Sequence, residues 1–242
     1  MRRTIRLING FFKNIILWLR PGIIFGFLSG PLLFLSNLFS MTRWIAGQQK
    51  RKFYNDFFVF PRNLEHRYNL YAHVVESQGM ANEAIDYLEF GVSQGFSFRW
   101  WANQIRHANA RFYGFDTFEG LPESWGTFKK GDMAAGLPQM DDARCNFYKG
   151  LFQDTLYGFI AEHPLQTRRK VIHMDADIFS ATLFVMTNLA RELRPGDILL
   201  FDEFNVPNHE WMAFRIVSDS FYLKTEFIGA INNYTHTAFK VL

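Results

Sequence analysis

The stretch AIDYLEFGVSQGFS, residues 84–97, decides the fold of this chain. Its first half, Ala84–Gly91, is a short apolar run that is typical of a buried strand. Its second half carries Gly91 and Gly95, which let the backbone turn tightly and approach a ligand closely before the next helix. The stretch predicts a strand–turn–helix unit, and by itself it leaves open whether the turn binds a ligand.

The chain on either side of this stretch alternates between apolar strands and amphipathic helices. The five predicted strands that lead the pattern are Ala84–Gly91, Arg111–Asp116, Arg144–Lys149, Lys170–Asp175 and Asp197–Asp202. Helical periodicity lies around Leu64–Ser77, Phe98–His107, Leu156–Glu162 and Ala181–Leu193. Tyr222–Gly229 and Thr237–Val241 predict a terminal hairpin across Asn232-Asn233. This order predicts an α/β, Rossmann-like fold with a seven-stranded, mostly parallel sheet, a C-terminal antiparallel hairpin and helices on both faces.

Composition and charge exclude several classes of protein. Of the 242 residues, 48% are hydrophobic, which excludes a disordered chain. Cys145 is the only cysteine, so neither a disulfide scaffold nor a cysteine-based zinc site is expected, and a reducing compartment fits. Nine of the 26 Lys and Arg residues precede Asp56, the first acidic residue. The remainder of the chain is therefore acidic, and we expect no nucleic-acid partner.

Acidic side chains follow three of the predicted strands. Asp116 stands about 20 residues past Gly95, where a carboxylate can accept the ribose hydroxyls of a nucleotide-like cofactor. Strand alternation predicts that His173, Asp175 and Asp177 share one side of an extended segment.

The next strand ends in Asp202-Glu203, and the two strand ends are expected to meet at one edge of the sheet. Carboxylates this close repel one another unless a cation lies between them. Oxygen-only ligation suits Mg²⁺ or another hard divalent cation, so Asp175, Asp202 and Glu203 are candidate metal ligands. Helix capping by Asp177 together with solvated loop acids is the alternative.

These residues resemble the motifs of class I S-adenosylmethionine-dependent methyltransferases. Glu89-x-Gly91-x-x-x-Gly95 looks like their first motif. The segments GFDTFEGLP (114–122) and KGLFQDTL (149–156) are similar to the macrocin and mycinamicin O-methyltransferase group in particular. The likeness runs from about Leu70 to the C-terminus.

The resemblance implies a cofactor site and a reaction. Glu89 and the Gly91–Gly95 turn would hold the methionine part of S-adenosylmethionine, Asp116 the ribose, and Phe152 would lie against the adenine. The remaining residues expected at the cofactor are Ser93, Ser97, Thr117, Phe118 and Asp175. The resemblance also places the metal on Asp175, Asp202 and Glu203.

The expected reaction is metal-assisted O-methylation of a hydroxyl on a sugar, glycan or glycosylated natural product, and the basic, apolar N-terminus adds the hypothesis that this acceptor is lipid-linked or membrane-delivered. Asp175 is expected to take the hydroxyl proton, and His209 is a second candidate for general base. The alternative is that His209 is a surface loop histidine with no role in catalysis. The loop of about 26 residues between Thr117 and Asp142 is expected to cover the acceptor.

Two other functions compete with this one. Asp175-Ala-Asp177 also resembles the Asp-x-Asp of metal-dependent glycosyltransferases, although the glycine turn and Asp116 suit S-adenosylmethionine better. The other is a non-catalytic, membrane-tethered binding protein on the same fold.

Residues 1–55 form a basic, apolar extension, and the predicted methyltransferase domain follows at residues 56–242. From Ile5 to Leu19 apolar residues recur at helical spacing opposite a basic face, and Ile23 to Phe39 carries no charge. That uncharged run approaches the roughly 20 residues that span a bilayer.

Four interpretations of the extension were weighed. A signal peptide is disfavoured because no cleavage site follows. A transmembrane anchor, a helix pair lying on an anionic membrane surface, and an arm that packs on the domain or on a second subunit of a homodimer all stay open. We expect a cytoplasmic protein, peripheral or anchored at the cytoplasmic face of the membrane.

Overall fold

The computed structural model describes residues 2–48 and 53–242. Three of the basic residues in the predicted extension, Lys50, Arg51 and Lys52, lie outside the described residues, as do the side chains of Arg2 and Arg3.

A single eight-stranded sheet organises the described chain. Its strands are β1 (Tyr54–Asn55), β2 (Ile85–Phe90), β3 (Arg111–Asp116), β4 (Cys145–Lys149), β5 (Arg169–Met174), β6 (Ile198–Phe201), β7 (Thr225–Ile231) and β8 (His236–Val241). Their order across the sheet is β4-β3-β2-β5-β6-β8-β7-β1. Strands β2 to β6 are parallel, and β8 runs antiparallel to both β6 and β7. The predicted α/β fold with a C-terminal antiparallel hairpin is confirmed, and β1 adds a two-residue edge strand that the sequence did not predict.

Eight α-helices surround or extend from this sheet in the described residues. They are α1 (Arg2–Leu19), α2 (Gly22–Phe25), α3 (Ser29–Gln48), α4 (Arg67–Ser77), α5 (Phe96–Gln104), α6 (Phe152–Glu162), α7 (Phe179–Leu189) and α8 (Glu210–Phe221). Helix α8 is an addition to the helices predicted from the sequence. Its buried face of Trp211, Phe214 and Val217 packs against the sheet.

Alternation along the central strand distributes the core between the two faces. All six residues of β2 are buried, as expected for a strand covered on both sides. Tyr87 joins the cluster beneath α4 and α5, whereas Leu88 and Phe90 join the cluster beneath α6, α7 and α8. The glycine turn that follows β2 is therefore held by packing on both faces.

The second half of α3 belongs to the packed domain. Trp44 contacts the rings of Phe204, Trp211 and Phe239 at centroid distances of 5.4, 5.5 and 5.7 Å. Asn37 is 1% exposed and donates to Asn208 Oδ1 at 2.9 Å. The extension is thus anchored on the domain well before the predicted boundary after residue 55.

The rest of the extension is exposed and apolar. Large side chains on α1, such as Phe11 and Trp18, are 63% and 80% exposed. Among the described residues, the helical stretch Gly22–Gln48 is long and apolar enough to cross a membrane, and little of it is buried.

Candidate active site

A cavity of about 490 Å³ lies at the carboxyl ends of β2, β3, β5 and β6. Open parallel sheets bind their ligands at this edge, because the strand-to-helix turns there can diverge and leave a crevice. Both the glycine turn and the predicted acidic positions contribute to its walls. The predicted residues that line it are Gly91, Ser93, Ser97, Asp116, Thr117, Phe152, Asp175 and Asp202.

Gly91 lets the ends of β2 and β5 meet. Its φ is +95°, and a Cβ there would overlap the backbone carbonyl of Asp175. The contact is fixed by a hydrogen bond from Asp175 N–H to Phe90 O at 2.9 Å. Only glycine fits, so this turn approaches the cavity with bare backbone.

Asp116 ties the glycine turn to the end of β3. One carboxylate oxygen accepts from the N–H groups of Val92 and Ser93 at 2.8 and 2.7 Å. The other accepts from Phe118 N–H at 2.7 Å. The predicted ribose-binding carboxylate therefore also shapes the turn that borders it.

Three predicted cofactor residues stand behind the cavity wall instead of in it. Glu89 is wholly buried and accepts hydrogen bonds from Ser97 Oγ at 2.5 Å and Tyr87 OH at 2.6 Å. Burial raises the pKa of Glu89 to about 8, against the opposing effect of these two donors. Ser97 lines the cavity, so the hydrogen bond with Ser97 is what links Glu89 to it. Gly95 packs on Pro138, and Phe118 is buried beside Phe147.

A buried hydrogen-bonded chain connects Glu89 to Asp202. Tyr87 OH lies 2.8 Å from His173 Nδ1, and His173 Nε2 lies 3.2 Å from Tyr71 OH. Tyr71 OH in turn donates to Asp202 Oδ1 at 3.4 Å. Burial lowers the pKa of His173 to about 4, so its ring is neutral at neutral pH.

The prediction that His173, Asp175 and Asp177 share one side of an extended segment is wrong. Strand β5 ends at Met174, and Asp177 has a φ of +58°, so the segment is no longer extended. His173 is buried between two tyrosines, whereas Asp175 and Asp177 both line the cavity. Periodicity could not show where the strand ends.

The pKa values of the carboxyl groups at this edge are shifted in opposite directions. Burial raises the pKa of Asp175 well above its ordinary value, and the charge of Asp202 adds to the rise. Burial, with the charge of Glu203, raises the pKa of Asp177 to about 7. Burial would also raise the pKa of Asp202, but His236, 2.7 Å from its Oδ1, lowers it to about 2, assisted by His173 and Arg67. One ionised and two readily protonated carboxyl groups thus share the cavity.

Arg67 was missed from the sequence and lines the same cavity. It is the first residue of α4, and its guanidinium lies 3.6 Å from Asp202 Oδ2. A single basic residue in the first turn of a helix cannot be recognised from the sequence as a site residue, because its role depends on where the helix packs in the fold.

The predicted metal ligands do not form a metal site as arranged here. Among residues 2–48 and 53–242, no three His, Cys, Asp or Glu side chains come together closely enough to hold one ion. Asp202 is engaged by His236 and Arg67, and Glu203 does not line the cavity. The oxygen donors suit a hard cation, but their positions do not converge on one.

His209 lies outside the cavity lining. Its Nδ1 is buried without a hydrogen-bond partner in the described part of the chain, and its ring lies edge-on to Trp125 at a centroid distance of 6.4 Å. Burial lowers its pKa. The structure therefore leaves this candidate base outside the cavity lining.

The loop predicted to cover the acceptor does contribute to the cavity. Leu121, Glu123 and Met133 line it, and Ser180 Oγ donates to Glu123 Oε1 at 3.0 Å. Trp125 and Phe128 stack with ring centroids 5.5 Å apart above this region.

Comparison with known proteins shows what this chain is similar to. Residues 88–204 match the family model described as a methyltransferase domain. The fold is similar to CalS11, a calicheamicin methyltransferase, with a TM-score of 0.56 and 21% identity over 73% of this chain and 77% of that chain.

Two further structures give similar values. The O-methyltransferase NovP has a TM-score of 0.52 and 19% identity, covering 73% of this chain and 78% of its own. Apo CalS11, described as a TDP-rhamnose 3′-O-methyltransferase, has a TM-score of 0.50 and 20% identity, covering 73% and 77%. No curated protein matches the chain in sequence.

Proposed function

We propose that this chain is a class I S-adenosylmethionine-dependent methyltransferase that methylates a hydroxyl group on a sugar, glycan or glycosylated natural product; the match of residues 88–204 to the methyltransferase-domain model supports this. The observation that carries the proposal is the cavity at the carboxyl edge, where the Gly91 turn, Asp116 and Asp175 meet. The activities named for CalS11 and NovP support O-methylation and a sugar-bearing acceptor.

The proposed cofactor site uses residues that already line the cavity. Ser97 and the bare backbone of the Gly91 turn would receive the methionine part, Asp116 the ribose hydroxyls, and Phe152 the adenine. S-Adenosylmethionine, when bound, supplies a methyl group that its sulfonium already makes electrophilic. The work left to the chain is to align an acceptor oxygen with that methyl group and to remove the proton.

Asp175 is the proposed general base, with Asp177 beside it. Both line the cavity, and the pKa of Asp177, raised to about 7 by burial and by Glu203, suits proton uptake near neutral pH. Arg67 would balance the negative charge that develops at this edge, since its guanidinium faces Asp202.

Metal assistance remains a separate part of the proposal. Asp175, Asp202 and Glu203 offer the oxygen donors that Mg²⁺ prefers, but Asp202 would have to give up its hydrogen bond with His236. Calorimetric titration with Mg²⁺, with and without S-adenosylmethionine, tests this. Saturable binding of Mg²⁺ that Glu203→Gln and Asp202→Asn both abolish would support a metal site. If Mg²⁺ does not bind, Arg67 is the cation of the site.

Calorimetric titration of the full chain with S-adenosylmethionine tests the proposed function. We expect saturable binding that Asp116→Ala weakens by roughly tenfold to a hundredfold, as for loss of a charged hydrogen bond. Asp154→Ala removes an exposed acid outside the cavity and should leave the affinity unchanged. A thermal melt of Asp116→Ala separates loss of contact from loss of fold.

The alternatives predict different titrations. Saturable binding of a nucleotide sugar with none of S-adenosylmethionine would overturn the proposal in favour of a glycosyltransferase. Binding of S-adenosylmethionine without methylation of any hydroxyl acceptor would favour a binding protein on this fold.

We also propose a cytoplasmic location at a membrane surface, reached through the exposed helices of residues 4–36. Their apolar faces and the absence of any acidic residue before Asp56 support contact with anionic lipid. Self-association of these helices in a homodimer is the competing use of the same surface.

A further inference from the structure

A second apolar surface lies outside the N-terminal helices. The loop Phe57–Phe60, which follows β1, exposes three phenylalanine rings at 51%, 73% and 87% of their surface. Single exposed apolar residues are ordinary, but three rings in four residues form a patch that normally marks an interaction surface. Nothing in the proposed catalysis uses them.

The loop is held in a fixed position. The side chain of Asn233 accepts from Val59 N–H at 2.9 Å and donates to Val59 O at 2.8 Å. Asn232 does the same with the backbone of Asn63, at 3.0 and 2.8 Å. These two reciprocal pairs fix Val59, within the aromatic segment, and Asn63, three residues after it, to the turn between β7 and β8, so the backbone that carries the rings is held in place.

That turn borders the cavity. His236, the first residue of β8, is bonded to the cavity residue Asp202. Arg62, at the end of the loop, bonds Thr235 in the turn, and cavity-lining Arg67 follows five residues later. The phenylalanine loop therefore stands at the carboxyl edge of the sheet, on the rim of the cavity.

The N-terminal helices leave the domain at the same edge. Asn37 in α3 bonds Asn208, which lies in the segment after β6, and the residues of α3 before Asn37 are exposed. Leu32 and Phe34 there are 61% and 43% exposed. Two apolar surfaces thus flank one rim, and the sequence before Asp56 carries Lys and Arg but no acidic residue.

We propose that the Phe57–Phe60 loop inserts into an anionic phospholipid bilayer and seats the rim of the cavity on the membrane, so that the hydroxyl acceptor enters from the lipid interface. Charge complementarity selects anionic lipid: exposed Arg62 lies two residues past Phe60, and residues 1–55 carry Lys and Arg but no acidic residue. The acceptor part of this inference rests on the proposed function, whereas the insertion does not.

A site-specific environment-sensitive dye tests the insertion. Phe60→Cys and Tyr222→Cys are labelled in a Cys145→Ala background, giving the dye one attachment point. The two positions are matched, since Phe60 is 87% and Tyr222 is 88% exposed, but Tyr222 precedes β7 at the opposite edge of the sheet. On addition of phosphatidylglycerol-containing vesicles, we expect a blue shift at position 60 and none at 222.

Vesicle partitioning of the full chain gives an independent measure. Phe58→Ser with Phe60→Ser should reduce partitioning by at least about tenfold, the equivalent of roughly 1.4 kcal/mol from burying phenylalanine surface. Tyr222→Ser should leave partitioning unchanged. The double variant should keep its affinity for S-adenosylmethionine, which shows that it is folded.

Three outcomes would overturn the proposal. They are no shift at position 60, equal shifts at both positions, and a shift at position 60 that follows protein concentration without vesicles, which would identify a second copy of the chain as the occupant. Failure of S-adenosylmethionine binding with lipid insertion intact would instead remove the proposed function and leave the membrane contact standing.

Discussion

At the scale of single residues, Gly91 is needed both for the contact between two strand ends and for the proposed cofactor site. The turn works because β2 and β5 end in backbone contact, and that contact has no room for a side chain. Gly91→Ala should lower the free energy of unfolding by at least about 2 kcal/mol and abolish saturable binding of S-adenosylmethionine, because the strand ends must separate. Denaturant unfolding and calorimetry measure the two effects.

Gly158 supplies the matched control for Gly91. It lies exposed within α6, and an added Cβ meets nothing within 4 Å. Gly158→Ala should therefore raise the free energy of unfolding by up to about 1 kcal/mol through helix propensity. Equal destabilisation by both substitutions would contradict the steric account of Gly91.

Glu89 makes a second prediction at this scale, on the pH dependence of stability. Burial raises its pKa from 4.5 to about 8, so between these values the folded protein binds a proton that the unfolded chain releases. This group therefore lowers the free energy of unfolding as pH rises through that window, by at most about 1.4 kcal/mol per pH unit. Below pH 4.5 both states are protonated and its effect vanishes.

Glu89→Gln removes the titrating proton and keeps the shape. Its free energy of unfolding, measured by denaturant titration between pH 5 and 8, should rise progressively relative to that of the unsubstituted chain. Parallel curves for the two proteins would show that Glu89 is ionised in the folded state throughout.

At the scale of elements, the sequence predicts strands better than it predicts their ends. Apolar runs located β2 through β6 within a residue or two, because burial on both faces demands such runs. The end of β5 could not be located in this way, since the left-handed conformation of Asp177 depends on neighbours brought in from other elements. For this reason Asp175 and Asp177 reach the cavity while His173 does not.

Contacts between distant elements explain the other differences at the site. Asp202 was expected to bind a metal, but it is hydrogen-bonded to His236 from β8 and ion-paired with Arg67 from α4. Both partners are far from Asp202 in the chain, and neither has a spacing that marks it. The acidic positions were predictable from the sequence, whereas their pairing depends on the docking of α4 and β8.

At the scale of the whole molecule, the N-terminal extension divides into a packed part and an exposed part, and two tryptophans report on them separately. Trp44 lies among the core rings of Phe204, Trp211 and Phe239, whereas Trp18 on α1 is 80% exposed. Trp44→Ala should lower the free energy of unfolding by about 2–3 kcal/mol through lost packing, with vesicle binding of the folded protein retained.

Trp18→Ala should show the reverse behaviour. Its free energy of unfolding should be unchanged, because the side chain packs on nothing in the described domain, but partitioning into anionic vesicles should fall as apolar surface is lost from α1. Denaturant unfolding and vesicle flotation of both variants measure the two effects. Destabilisation by Trp18→Ala without loss of partitioning would mean that α1 packs on protein, and the homodimer would then replace the membrane as the partner of this surface.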